Sequence, residues 1–189
     1  MVSAATVHQA VQPAARETVL AWLGEVMDPE VPAVSVLDLG IVRDVRWQDG
    51  AADRAGSPSL VVTVTPTYSG CPATEVIAQS IREALAEHGI EQVLVQTQLS
   101  PAWTTDWMTA KGRDALRAYG IAPPVLRAPG ADGAQLIDVS ALRPNRVAVP
   151  CPRCASRQTR LLSQFGSTAC KALYQCNDCL EPFDYFKPH

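Results

Sequence analysis

The chain contains no apolar run approaching the roughly 20 residues of a membrane-spanning helix, and its first residues lack the basic start and apolar core of a secretory signal. Both absences predict a cytoplasmic protein with no membrane partner. Basic charge is also in short supply, with 16 Lys and Arg against 19 Asp and Glu, a net charge of -3 and a pI near 5.6. General binding to the nucleic-acid backbone needs a concentrated basic surface, so nucleic acid is not expected as a partner. Histidine is scarce: His8, which reads as solvated, His88 and His189 stand in no motif that would give a cysteine nucleophile its base. Cysteine, by contrast, is present six times but unevenly, once in the first half and five times between Cys151 and Cys179. The cytosol keeps thiols reduced, so metal binding or thiol chemistry is a better reading than a disulfide framework.

At 189 residues the chain has room for one ordinary domain and a small satellite. The stretch Thr65-Pro66-Thr67-Tyr68-Ser69-Gly70-Cys71-Pro72-Ala73 organises the first of these. Before it, Leu60 to Val64 has β-strand composition, and Pro66 stops the strand because it has no N–H for a ladder. After it, Pro72 suits the first helical position, Ile77, Ile81, Ala84 and Leu85 follow at helical spacing, and Gly89 marks a left-handed stop. This puts Cys71 at the N-cap or beside it. The helix end would favour its thiolate, as a nucleophile or metal ligand needs. The alternative is a small buried residue under a tight turn.

Residues 1–13 lack periodicity and are expected to be disordered. A helix is predicted from Ala14 to Met27, ended by Asp28-Pro29, since the residue before proline leaves the helical region. The loop Asp28-Pro29-Glu30-Val31-Pro32 carries two carboxylates, suited to a metal or a partner if not simply solvated. Ile41 to Trp47 reads as a strand, joined to the next by a polar turn from Asp49-Gly50 to Ser57-Pro58 and pairing with it antiparallel. Gln92 to Thr97 is a third strand; the strand–helix–strand order implies a parallel crossover and a mixed three-stranded sheet. Trp103 and Trp107 either close the core or form a binding surface, and a helix capped by Thr105 or Asp106 should end at Tyr119-Gly120. Pro and Gly then dominate to Pro150, with a short strand expected only at Gln135 to Val139. The fold class is therefore α+β: a two-layer domain with a small mixed sheet and helices packed on it over 14–120, a linker over 121–146, and a β ribbon over 147–189.

Cys151-Pro152-Arg153-Cys154 and Cys176-Asn177-Asp178-Cys179 are two C-x-x-C pairs at zinc-ribbon spacing. Each turn brings two thiolates to one side, and two such turns supply four sulfurs to a tetrahedral ion. Structural Zn2+ is the expected occupant, with iron or a cluster as the alternatives open to four sulfurs. Ala155 and Leu180 follow the pairs where glycine is frequent, so strained turns are expected. Cys170 is a fifth thiol, either packed beside the ribbon or a second reactive site.

With these words in place, the sequence resembles the PaaD family of phenylacetate-degradation proteins, within the wider iron-sulfur cluster assembly domain family (SufT-like). The resemblance rests on Asp28-Pro29-Glu30-Val31-Pro32, Ser35 to Gly40, Thr65 to Pro72, Ser100 to Met108, the ribbon with Phe165 to Cys170, and Phe183-Asp184-Tyr185-Phe186. It implies an accessory maturation factor rather than an enzyme. Its client would be the phenylacetyl-CoA epoxidase system, through the iron-sulfur reductase or oxygenase subunits, alongside cluster-assembly proteins. It carries the functional cysteine onto Cys71 and the nearby acid onto Asp28, with transient iron or an iron-sulfur cluster as cargo; Cys170 stays a further candidate, and a homodimer stays open. Two rivals come from other classes. One is a thiol-dependent oxidoreductase or transferase using Cys71, which lacks a neighbouring resolving cysteine. The other is a zinc-ribbon module binding protein or nucleic acid through Arg153, Arg157, Arg160 and Lys171.

Overall fold

A computed structural model describes residues 14–48, 58–125 and 148–188. The expected disordered N-terminus, the polar turn, the strand at Gln135 to Val139 and most of the linker lie outside the described residues. The first unit holds α1 (Arg16–Leu23), β1 (Val42–Gln48), β2 (Ser59–Val64), α2 (Thr74–Glu87), β3 (Val93–Thr97) and α3 (Ala110–Tyr119). The ribbon holds β4 (Thr159–Ser163), β5 (Lys171–Cys176) and β6 (Pro182–Phe186).

The mixed sheet has the order β1-β2-β3, with β1 antiparallel and β3 parallel to the central strand. All six residues of β2 are buried, as befits a centre strand covered on both faces. Leu60, Val62 and Val64 meet Ile77, Ile81 and Leu85 of α2 and Val19 and Leu23 of α1 in one core. The helix stops are those expected: Gly89 and Gly120 both take positive φ, +81° and +94°.

Several boundaries differ from the sequence reading. The first helix ends at Leu23, not Met27, and the chain to Gly40 becomes a packed loop that buries Val26, Val31, Val34 and Val36. Because that loop supplies core, Asp28 within it is buried rather than solvated. The cap of α3 is Thr109, whose hydroxyl accepts from the Gly112 N–H at 2.9 Å, while Thr104 caps a 3-10 turn over Thr105–Trp107. Gly40 sits at φ +71°, where an added Cβ would come within 2.5 Å of the Trp107 carbonyl oxygen, so only glycine lets these segments meet. Trp103 closes the core, donating from Nε1 to the Leu39 carbonyl at 2.9 Å, and Trp107 lies under the Arg43 guanidinium.

The ribbon is a three-stranded antiparallel sheet with its own small core of Val149, Ala172, Phe183 and Tyr185 around two of its cysteines. It also leans on the first unit. Phe186, 1% exposed, and Cys170 belong to the first unit's core, with the Phe186 ring 6.0 Å from that of Trp103. Just beyond α3, Ala122 pairs with the ribbon edge: its N–H donates to the Asp184 carbonyl and its carbonyl accepts from the Phe186 N–H.

Candidate functional sites: a four-cysteine centre and a cavity at the seam

The four ribbon cysteines converge. Their Sγ atoms lie within 4.8 Å of one another, with Cys151 to Cys179 at 3.7 Å and Cys154 to Cys176 at 3.6 Å. A tetrahedral ion with metal–sulfur bonds of ~2.3 Å would space its sulfurs by about 3.8 Å, so the donor set fits such an ion. The turns are built for it. The Cys179 N–H points at Cys176 Sγ, and the Ala155 N–H closes the first turn on the Cys151 carbonyl. Ala155 and Leu180 take φ of +60° and +63°, the left-handed strain expected where glycine is usual. Backbone N–H bonds from Cys179 and Asp178 pull the Cys176 thiol down to about 7. Cys154 also receives such a bond, from Ser156, but the neighbouring sulfurs and burial push it up to about 12. Four thiols this close cannot all ionise without a cation, which would supply the missing positive charge and hold the two turns together.

The second site lies at the seam between the two units. A small cavity of about 10 Å³ is lined by Asp28, Glu30, Cys71 and Cys170, with apolar walls that include Ile77 and Phe186. The three candidates singled out besides the four paired ribbon cysteines, Cys71, Asp28 and Cys170, all line it. They arrive from different segments: the loop after α1, the loop entering α2, and the turn before β5. Asp28 Oδ1 accepts from the Glu30 and Val31 N–H groups, each at 2.9 Å, which folds the loop and turns Glu30 toward the ribbon. Glu30 Oε2 faces Cys170 Sγ at 3.7 Å, and the Thr168 hydroxyl lies 3.0 Å from the same sulfur. The neighbouring Lys171 is 3% exposed, with Nζ 3.5 Å from the Glu30 carbonyl and 3.9 Å from Asp184 Oδ2. Neither Glu30 nor Lys171 was expected beside Cys71: Glu30 was the second carboxylate of its loop, and Lys171 one of the basic residues of the rival ribbon surface. The sequence signal for Glu30 was the pair of carboxylates in the Asp28 to Pro32 loop; the sequence marked Lys171 as basic, but nothing local marked its burial at the seam.

The thiol expected to be activated is instead held protonated. The helix begins at Thr74 with Ala73 as its N-cap, so Cys71 lies two residues ahead of the cap. Burial, together with the charges of Glu30 and Asp28, raises the Cys71 thiol, outweighing the Ala73 N–H and the Thr74 hydroxyl that lower it. Cys170 goes further, to about 11, chiefly through burial. Burial also raises the Asp28 carboxyl against its two backbone hydrogen bonds.

Comparison with known proteins places this geometry in a class. Residues 16–95 match the family model described as iron-sulfur cluster assembly protein, and residues 138–187 match that described as PaaD zinc beta ribbon domain. The chain is 49% identical over 167 residues, 88% of its length and 89% of the relative's, to an Escherichia coli K12 protein named as a putative component of 1,2-phenylacetyl-CoA epoxidase. It is 30% identical to the Bacillus subtilis protein named Fe-S protein maturation auxiliary factor YitW, over 54% of this chain and 94% of that one. A crystallised domain of unknown function from Bacillus anthracis shares 29% identity at a TM-score of 0.44, covering 53% of this chain and 89% of its own. By its two family matches, the chain is a cluster-assembly domain bearing a C-terminal metal ribbon. Within that class, it belongs to the PaaD family.

Proposed function

We propose that the protein is an accessory factor in iron-sulfur maturation, not a catalyst, and that it serves the phenylacetyl-CoA epoxidase system. The client is the iron-sulfur reductase component, reached in the cytoplasm together with cluster-assembly proteins. The names of the relatives support the system and the role. The observation that carries the reading is that Cys71, Asp28 and Cys170, from three separate segments, line one cavity. In this reading residues 14–120 form the cargo-handling unit, 121–146 the linker, and 147–189 a ribbon held by structural zinc on Cys151, Cys154, Cys176 and Cys179. Iron or a cluster is the cargo. The cavity, at about 10 Å³, admits about one water-sized group.

The experiment is deletion in a host that degrades phenylacetate, with purification of the reductase. It should accumulate to its usual level yet carry less than half its iron and sulfide, and Cys71→Ser supplied in trans should not restore them. Normal cluster content in the deletion strain would refute the accessory role.

A further inference from the structure

We propose that the seam cavity binds one divalent metal ion, through the Cys71 and Cys170 thiolates and the Glu30 carboxylate, with Asp28 as the residue that positions Glu30. The identity of that ion as ferrous iron rests on the maturation reading above; the site itself does not.

Four observations lead there. Two soft sulfurs and one carboxylate in an otherwise largely apolar cavity form a mixed donor set suited to a transition-metal ion. The volume, about 10 Å³, suits a single ion and not a cluster with its bridging sulfides. The two acids are not equivalent: Asp28 Oδ1 is committed to two backbone N–H groups, whereas Glu30 Oε2 faces the Cys170 sulfur. Finally, the ammonium group at this seam is already engaged: Lys171 Nζ lies 3.5 Å from the Glu30 carbonyl and 3.9 Å from Asp184 Oδ2.

Binding is an exchange without redox change. Two S–H bonds break, two metal–sulfur bonds and one metal–oxygen bond to Glu30 form in place of water on the ion, and two protons leave to solvent. Because Cys170 comes from the ribbon and Cys71 and Glu30 from the first unit, the ion bridges the two units. The ribbon centre and the seam also differ in preparation. Among the described residues, the four ribbon cysteines are the only group of three or more such ligands whose donor atoms already stand within 4.8 Å of one another, whereas at the seam Glu30 and Cys170 are 3.7 Å apart and Cys71 must still join them. The seam donors must close on their ion by side-chain rotation on three separate segments, and that reorganisation weakens binding. A preformed site keeps its metal; one that must close can release it.

The test is an anaerobic titration of the zinc-replete full chain with Co(II) alone, then Fe(II) alone, following thiolate-to-metal charge-transfer absorption and proton release. The expected result is one Co(II) per chain beyond the zinc, about two protons released, and zinc retained. Cys71→Ser, Cys170→Ser and Glu30→Gln should each weaken binding at least tenfold. Asp28→Asn, whose amide oxygen accepts the same backbone bonds, should stay within about threefold. Zinc content and circular dichroism identical to the parent show that a variant is folded, and if Cys170→Ser is not, Glu30→Gln and Cys71→Ser carry the test. No additional Co(II), Co(II) bound only by displacing zinc, or undiminished binding in folded Glu30→Gln would overturn the site. An ion bound here with a client of normal cluster content would sink the maturation reading and leave the site standing. A deficient client without ion binding would do the reverse.

Discussion

Replacing Phe186 by alanine tests whether the ribbon depends on the first unit. The ring is 1% exposed, packs on Trp103 at 6.0 Å and forms part of the seam cavity wall. Phe→Ala in a core typically costs ~3–5 kcal/mol, including the space left behind. Here the neighbours are Trp103, pinned by its hydrogen bond to Leu39, and the edge of a three-stranded sheet, so collapse into the space is limited. The expected loss is about 4 kcal/mol, a large fraction of the ~5–15 kcal/mol that holds an ordinary domain. Urea unfolding followed by tryptophan fluorescence reads it directly, since Trp103 is the neighbour removed from contact. The metal content of the ribbon should be unchanged, because its four cysteines are held by their own turns, while Cys170 should become quickly alkylated. A loss below about 1 kcal/mol with Cys170 as protected as before would show that Phe186 does not hold the units together.

Replacing Cys176 by serine should release the ribbon metal, since it removes one of four convergent sulfurs, and should disorder β4 to β6; elemental analysis and amide exchange report both. The helices α1 and α2 should persist in that variant, and loss of the whole fold would mean that the metal supports both units. The thiol shifts predict a pH profile. With a value near 11, about one Cys170 in 10^4 is ionised at pH 7, against about one in 100 at the ordinary value of 9.0, so its alkylation should be about a hundredfold slower than that of a free cysteine. The folded state holds that proton more tightly than the unfolded chain. The stability it contributes is therefore complete below pH 9 and lost as pH rises from 9 toward 11, and Cys170→Ser should lack this alkaline loss. Alkylation of native Cys170 at the rate of free cysteine would refute the burial argument.

Local backbone rules carried much of what was legible in the chain. A C-x-x-C turn brings its own two sulfurs together, so the spacing of Cys151, Cys154, Cys176 and Cys179 announced the metal centre. The strand–helix–strand order implied the mixed sheet, and Gly89 and Gly120 stop their helices because few other residues take a positive φ at low cost. Other features depended on which distant groups become neighbours. Cys170 meets Glu30 across 140 residues of chain, a juxtaposition no spacing encodes. The direction of the Cys71 shift is hidden from the sequence for the same reason: a helix start is visible locally, but burial and the Glu30 and Asp28 charges come from elsewhere and outweigh it. Asp28 was legible as an acid of the loop before Pro29, yet its backbone hydrogen bonds and burial depend on how that loop folds. Bonding geometry along a few residues is a property of the sequence itself, whereas the environment of a buried ionisable group is a sum over everything packed around it, and tertiary structure alone determines that sum.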